Sequence, residues 1–177
     1  MRIGIDISQM AYEGTGVAEL TKNLVQKLLE IDKGNEYVLF YSSLRKRIPS
    51  NVFTSAGRQK FKIKTFRFPP IVLDFLWNKL HILPIENLIG DVDVFITSDW
   101  TEPPVKNAKK ATILYDLIVY KYANETDKKI VETQKRKLKW VKKESDLIFC
   151  ISQATKKDAM EILGIEEKRL KVIIPGI

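Results

Sequence analysis

The sequence predicts an α/β fold built on a doubly wound, mostly parallel sheet of about seven strands. Three observations carry that expectation. Strand-like and helix-like segments alternate from end to end. The strand candidates are short runs rich in Val, Ile, Leu and Phe. The chain opens with a strand, a glycine loop and an amphipathic helix. Continuous apolar runs suit strands covered on both faces, and the alternation suits parallel strands joined by helical crossovers. The expected architecture is therefore Rossmann-like.

The first strand is expected over residues 2–8, followed by a loop over 9–16 that carries Gly14 and Gly16. A helix over 17–31 places Val17, Thr21, Leu24, Leu28 and Ile31 on one face. Further strands are expected at 37–42, 61–66, 92–97, 111–115, 146–151 and 171–174. Further helices are expected just after Ser42, around 73–80, and over 125–143 and 153–163. Ser152 suits an N-cap and Gly164 a C-cap for the last of these. Residues 73–89 fit either a helix or a broken segment, and the Pro69-Pro70 and Pro103-Pro104 pairs mark loops.

At 177 residues the chain suits one domain, 1–177, with a core of its own. Hydrophobic residues make up 45% and charged residues 29%, an ordinary globular balance. No run of about 18 apolar residues occurs, and Asp6 interrupts the first apolar stretch, which argues against a signal peptide. Cys150 is the only cysteine, so no intrachain disulfide forms and a reducing cytoplasm is the expected compartment. Its apolar surroundings read as a buried strand rather than a reactive thiol. With His81 the only histidine, a zinc cluster or a Cys/His catalytic pair is not expected.

Net charge is +8, and it is concentrated. Residues 128–143 hold eight cations against the single acid Glu132, which accounts for seven of those charges. The segment reads as a helix with Ile130, Val131, Leu138 and Val141 as its buried stripe. Its basic face is either a solvated surface or one that meets anionic lipid through Lys135, Arg136 and Lys139. Nucleic acid fits less well, because neither aromatic stacking platforms nor a helix-turn-helix or zinc-finger pattern is present.

Ligands of such sheets bind outside the carboxyl ends of the strands. Four loops are expected there: 9–16, 98–106, 116–122 and the turn at Ser152. They bring Ser98, Asp99, Thr101 and Ser152 toward the cleft, with Tyr115 and Asp116 ending the fifth strand. Gly14-Thr15-Gly16-Val17 opens a helix, where free N–H groups and the helix dipole favour an anion. It departs from the dinucleotide fingerprint, since Glu19 stands at the third glycine, and no P-loop lysine pattern occurs. The loop is either phosphate-facing or a structural turn. Asp116 either accepts from a sugar hydroxyl or caps the next turn, and Asp6 is expected to fix the glycine loop through backbone N–H groups.

Taken together, these residues resemble the N-terminal domain of the glycosyltransferase family 4 type (glycosyl transferases group 1) of the GT-B fold. The resemblance runs through residues 1–8 with 14–29, then 76–80, 93–98 and Pro103-Pro104. It continues through 112–118 (TILYDLI), 146–156 (DLIFCISQATK) and 171–177 (KVIIPGI). Where the family has His before the aspartate, this chain has Tyr115. A tyrosine donates a hydrogen bond but does not act as an imidazolium near neutral pH.

The resemblance implies a retaining, metal-independent transferase that moves a sugar, mannose being one candidate, from a nucleotide-sugar to a polysaccharide or lipid-linked acceptor. It implies that Tyr115 and Asp116 lie near the reaction centre and Gly14, Thr15, Gly16 and Val17 near the donor diphosphate. No cofactor is implied, the nucleotide-sugar being a substrate. A covalently linked C-terminal donor-binding domain is expected beyond these residues, so this chain alone is expected to be inactive. A peripheral place at the inner membrane face follows from the basic helix. The alternatives are a standalone, non-catalytic module that binds a phosphorylated ligand or a partner subunit, and a different nucleotide-dependent enzyme.

Overall fold

Alternation along one central strand sets the layers. Residues Glu36–Ser42 (β2) are buried along all but the first position. Tyr37, Leu39 and Tyr41 pack into one apolar cluster, and Val38 and Phe40 into another on the opposite face. Such a strand needs cover on both sides. The computed structural model describes residues 1–48, 53, 61–97 and 99–174. Within them β2 is joined by β1 (Arg2–Asp6), β3 (Phe61–Phe66), β4 (Val94–Thr97), β5 (Lys109–Leu114), β6 (Leu147–Cys150) and β7 (Leu170–Val172). The strands pair in parallel in the order β3-β2-β1-β4-β5-β6-β7. The fold is α/β and Rossmann-like, as the alternation predicts.

Helix α1 (Gly16–Ile31) covers β1 and β2 on one face. The opposite face of β2 and β4 is covered by α2 (Pro70–Leu73), the π-helix Asp74–Lys79 that continues it, and α3 (Glu86–Ile89). After the short α4 (Ile118–Lys121), α5 (Lys128–Glu144) and α6 (Gln153–Leu163) pack with β5, β6 and β7 in a third cluster. Ser152 accepts from the Thr155 N–H and Gly164 is left-handed, so both caps of α6 are formed as expected. Gly4 lies where β1 crosses Phe95, and a Cβ there would stand 2.6 Å from that ring. Only glycine permits the approach.

Three expectations are corrected. The buried stripe of α1 is Ala18, Thr21, Val25 and Leu29, and Ile31 is 72% exposed. The two stripes are neighbours on one broad apolar surface, and the helix is rolled by one residue toward Val25. No helix forms over residues 43–48, because the Ser43 hydroxyl accepts from the Lys46 N–H and holds a local turn instead. The first strand stops at Asp6 rather than Ser8. The Asp6 carboxylate accepts from the Ser8 N–H at 2.9 Å and starts the 3-10 turn Ser8–Ala11.

Cys150 is fully buried at the end of β6, and burial pushes its thiol up to about 11. The native protein should therefore resist thiol-specific alkylation at neutral pH and react in full once unfolded in urea. Rapid modification of the native protein would contradict this placement.

Candidate functional site

The sheet changes winding direction between β1 and β4, and the residues just past their carboxyl ends form the floor of a cleft. Past β1 the chain turns through Gln9 and Tyr12 to Thr15, whose hydroxyl accepts from the Ala18 N–H and caps α1. Past β4 it passes through Asp99, Trp100 and Thr101. Gln9 ties the two ends together. In the amide orientation that satisfies both its atoms, it donates to the Asp6 carbonyl and accepts from the Asp99 N–H at 3.1 Å.

Two compartments meet there. The larger, about 470 Å³, is walled by Tyr12, Val17, Pro70, Ile71, Trp100 and Ile130, with Asp74, Asp99 and Thr101 as polar groups. The smaller, about 280 Å³, is lined by Tyr115, Asp116, Thr126, Gln134 and Lys137. Val17, Asp99, Trp100 and Ile130 belong to both. One side is thus mainly apolar, the other rich in hydrogen-bonding groups, and Asp99 stands at their junction.

The 99–102 loop is held from three directions. Gln134 on α5 donates to the Asp99 carbonyl at 3.0 Å. Asn78 donates to the Trp100 carbonyl and accepts from the Glu102 N–H, both at 2.9 Å. Glu102 itself is fully buried and accepts from Thr97 and Thr112. Asn78 can reach this loop because it points inward beside Trp77. Both residues sit in a wider π turn, seen in the Leu80 N–H donating to the Phe75 carbonyl five residues back.

Charge is concentrated under the junction. Lys137 is 2% exposed, and burial pulls its ammonium below the usual lysine range against the opposing pull of Glu102, Asp99 and Asp6. Burial pushes the Asp99 carboxyl up, and Lys137 works against that shift. Burial likewise raises Asp6. A buried ammonium among carboxylates, beside a cleft, is a polar site that can bind hydroxyl or phosphate oxygens. Among the described residues no group of His, Cys, Asp and Glu is placed to hold a metal ion.

Of the expected site residues, Thr15, Val17, Asp99, Thr101, Tyr115 and Asp116 line the cleft. Ser98 lies outside the described residues. Gly14 and Gly16 shape the turn, Gly14 at a φ of 82°, without lining either compartment. Asp116 accepts from the Ile118 N–H at 3.0 Å, the turn-capping role, while its residue borders the smaller compartment. The hydroxyl of Ser152 caps α6, and the residue lines neither compartment.

Arg136 is corrected as an outward-facing cation, since it pairs with Asp74 at 2.6 Å and with Thr133. Lys135 and Lys139 remain exposed. Sequence reasoning missed Tyr12, Ile71, Asp74, Trp100 and Lys137, and it placed Ile130 in the buried stripe of α5, where the structure leaves it 39% exposed and lining the cleft. The one available signal was an apolar Ile130 and a central Lys137 inside a strongly basic helix. No family model matches the chain, and no curated protein matches it.

Proposed function

We propose that the chain is the acceptor-side domain of a transferase that moves a sugar from a nucleotide-sugar donor to a lipid-linked or polysaccharide acceptor. The observation that carries the reading is the pair of unlike compartments meeting at Asp99. A transfer between two bound molecules needs both reacting ends brought to one point. The apolar compartment suits an acceptor with an apolar portion. The smaller one offers Lys137, Gln134, Tyr115 and Asp116 to sugar hydroxyls and phosphate. Asp99 would orient the acceptor hydroxyl and receive its proton, and burial, which pushes its carboxyl up, makes it a stronger base than an exposed aspartate.

A donor diphosphate needs preorganised groups on more than one side, and a single wall leaves it solvated. A second domain facing this cleft therefore belongs to the proposal, with little transfer expected from residues 1–177 alone. The test is transfer of label from a panel of nucleotide-sugars to membrane or glycan extracts by the protein at its native length. Asp99→Asn is expected to lower kcat by about 100-fold or more with little change in the urea midpoint. Absence of transfer from every donor, with saturable binding of a phosphorylated ligand, would instead favour the non-catalytic module.

A further inference from the structure

Helix α5 and the π-helix lie side by side along a polar seam. Arg136 pairs with Asp74 at 2.6 Å, the Trp140 indole donates to the Asn78 carbonyl at 2.8 Å, and Glu144 meets His81 at 2.9 Å. His81 also stacks on Trp140 with ring centroids 3.5 Å apart. The seam uses every fourth residue of α5. The row one residue earlier, Lys135, Lys139 and Lys143, is therefore turned to the adjoining exposed face. Lys139 and Lys143 reach across the Trp140 ring, at 5.7 and 4.8 Å.

The outward stripe of the neighbouring segment is apolar. Ile71 is 76% exposed and Phe75, one turn on, 46%, with the Lys79 ammonium over the Phe75 ring; Ile82, 49% exposed, follows in the turn that ends the helix. Large aliphatic and aromatic groups exposed along one short segment mark an interaction surface. A lysine row flanking such a stripe is the arrangement of elements that lie in a membrane interface, where apolar groups enter the acyl boundary and lysines stay with the head groups.

We propose that Ile71, Phe75 and Ile82, with Lys79, Lys139 and Lys143, form a surface that docks on an anionic lipid bilayer. Ile71 also walls the apolar compartment, so the docked bilayer would lie at the mouth of the cleft. The surface differs from a purely electrostatic helix face because insertion of the apolar stripe is required. It is independent of sugar transfer, and its test needs none.

The test is co-sedimentation with phosphatidylglycerol–phosphatidylcholine vesicles against phosphatidylcholine vesicles. The wild-type chain should bind the anionic vesicles. The pair Phe75→Ser with Ile82→Ser, and separately Lys139→Glu with Lys143→Glu, should each weaken binding about tenfold. Phe75→Trp should show blue-shifted emission on adding anionic vesicles. These side chains are exposed, so the urea midpoints should stay close to wild type. No binding to anionic vesicles, wild-type binding by the apolar pair, or unchanged Phe75→Trp emission would each overturn the proposal.

Discussion

Replacing Lys110 by methionine is expected to cost about 3–5 kcal/mol of folding stability, read as a lowered urea midpoint. Lys110 is on β5 and 1% exposed, with its ammonium 2.7 Å from Glu144 and 3.7 Å from Glu102. Glu102 is fully buried. Its oxygens accept from Thr97 at 2.7 Å, Thr112 at 3.1 Å and Ser145 at 3.4 Å. Hydroxyls alone poorly replace water around a buried carboxylate. Lys137 adds positive potential from α5, but burial already disfavours its own charge. Removing Lys110 therefore strands a charge in the interior. Adding Glu102→Gln removes that charge, so the double variant should recover a substantial part of the loss. A single variant within about 1 kcal/mol of wild type, or a double variant no better than the single, would rule out mutual compensation. Because the Glu102 N–H is tied to Asn78, and Asn78 to the Trp100 carbonyl, the single variant should also loosen the cleft loop.

The sheet was legible because its strands are buried on both faces, which leaves runs such as YVLFYS unbroken by charge. The lysine-studded edge strand β3 was also legible, since Phe61 and Ile63 alternate with exposed Lys62 and Lys64. The roll of α1 was not. Leucine and valine occupy both candidate stripes, and the choice between them is made by the sheet it packs on. The π-helix was hidden too. Its six residues, Asp74–Lys79, are too few to show a repeat distinct from 3.6, so the segment fits either a helix or a broken stretch.

The cleft was half legible. The carboxyl-end rule located Asp99, Thr101, Tyr115 and Asp116 from strand positions alone. It could not locate the wall contributed by helices, because Ile71, Asp74, Ile130 and Lys137 reach the cleft through packing between elements distant in sequence. Composition misled for Arg136 and Lys137. Both read as part of the basic outer face of the helix, yet Arg136 turns to Asp74, and Lys137 is buried near carboxylates from β1 and the 99–102 loop.

Truncating Trp77 to alanine is the other large expected effect, again about 3–5 kcal/mol. The side chain is fully buried, its ring 5.5 Å from that of Phe40, and its indole donates to the Leu83 carbonyl at 2.9 Å. Alanine leaves a cavity under the sheet and an unsatisfied carbonyl in a turn where His81 and Leu83 already hold positive φ. Trp77→Phe should fall between the two, keeping most of the packing and losing the hydrogen bond. The informative control is Leu163→Ala in the α6 cluster, expected to cost about 2–4 kcal/mol. Leu163 belongs to a different apolar cluster from Trp77, so its loss should lower stability and leave ligand binding at the Asp99 loop intact. Trp77→Ala should weaken both, because the wide turn that buries Trp77 is the same turn that aims Asn78 at Trp100 and Glu102. Equal binding losses in the two variants would mean that the cleft senses only global stability, and the link drawn between the π-helix and the Asp99 loop would fall.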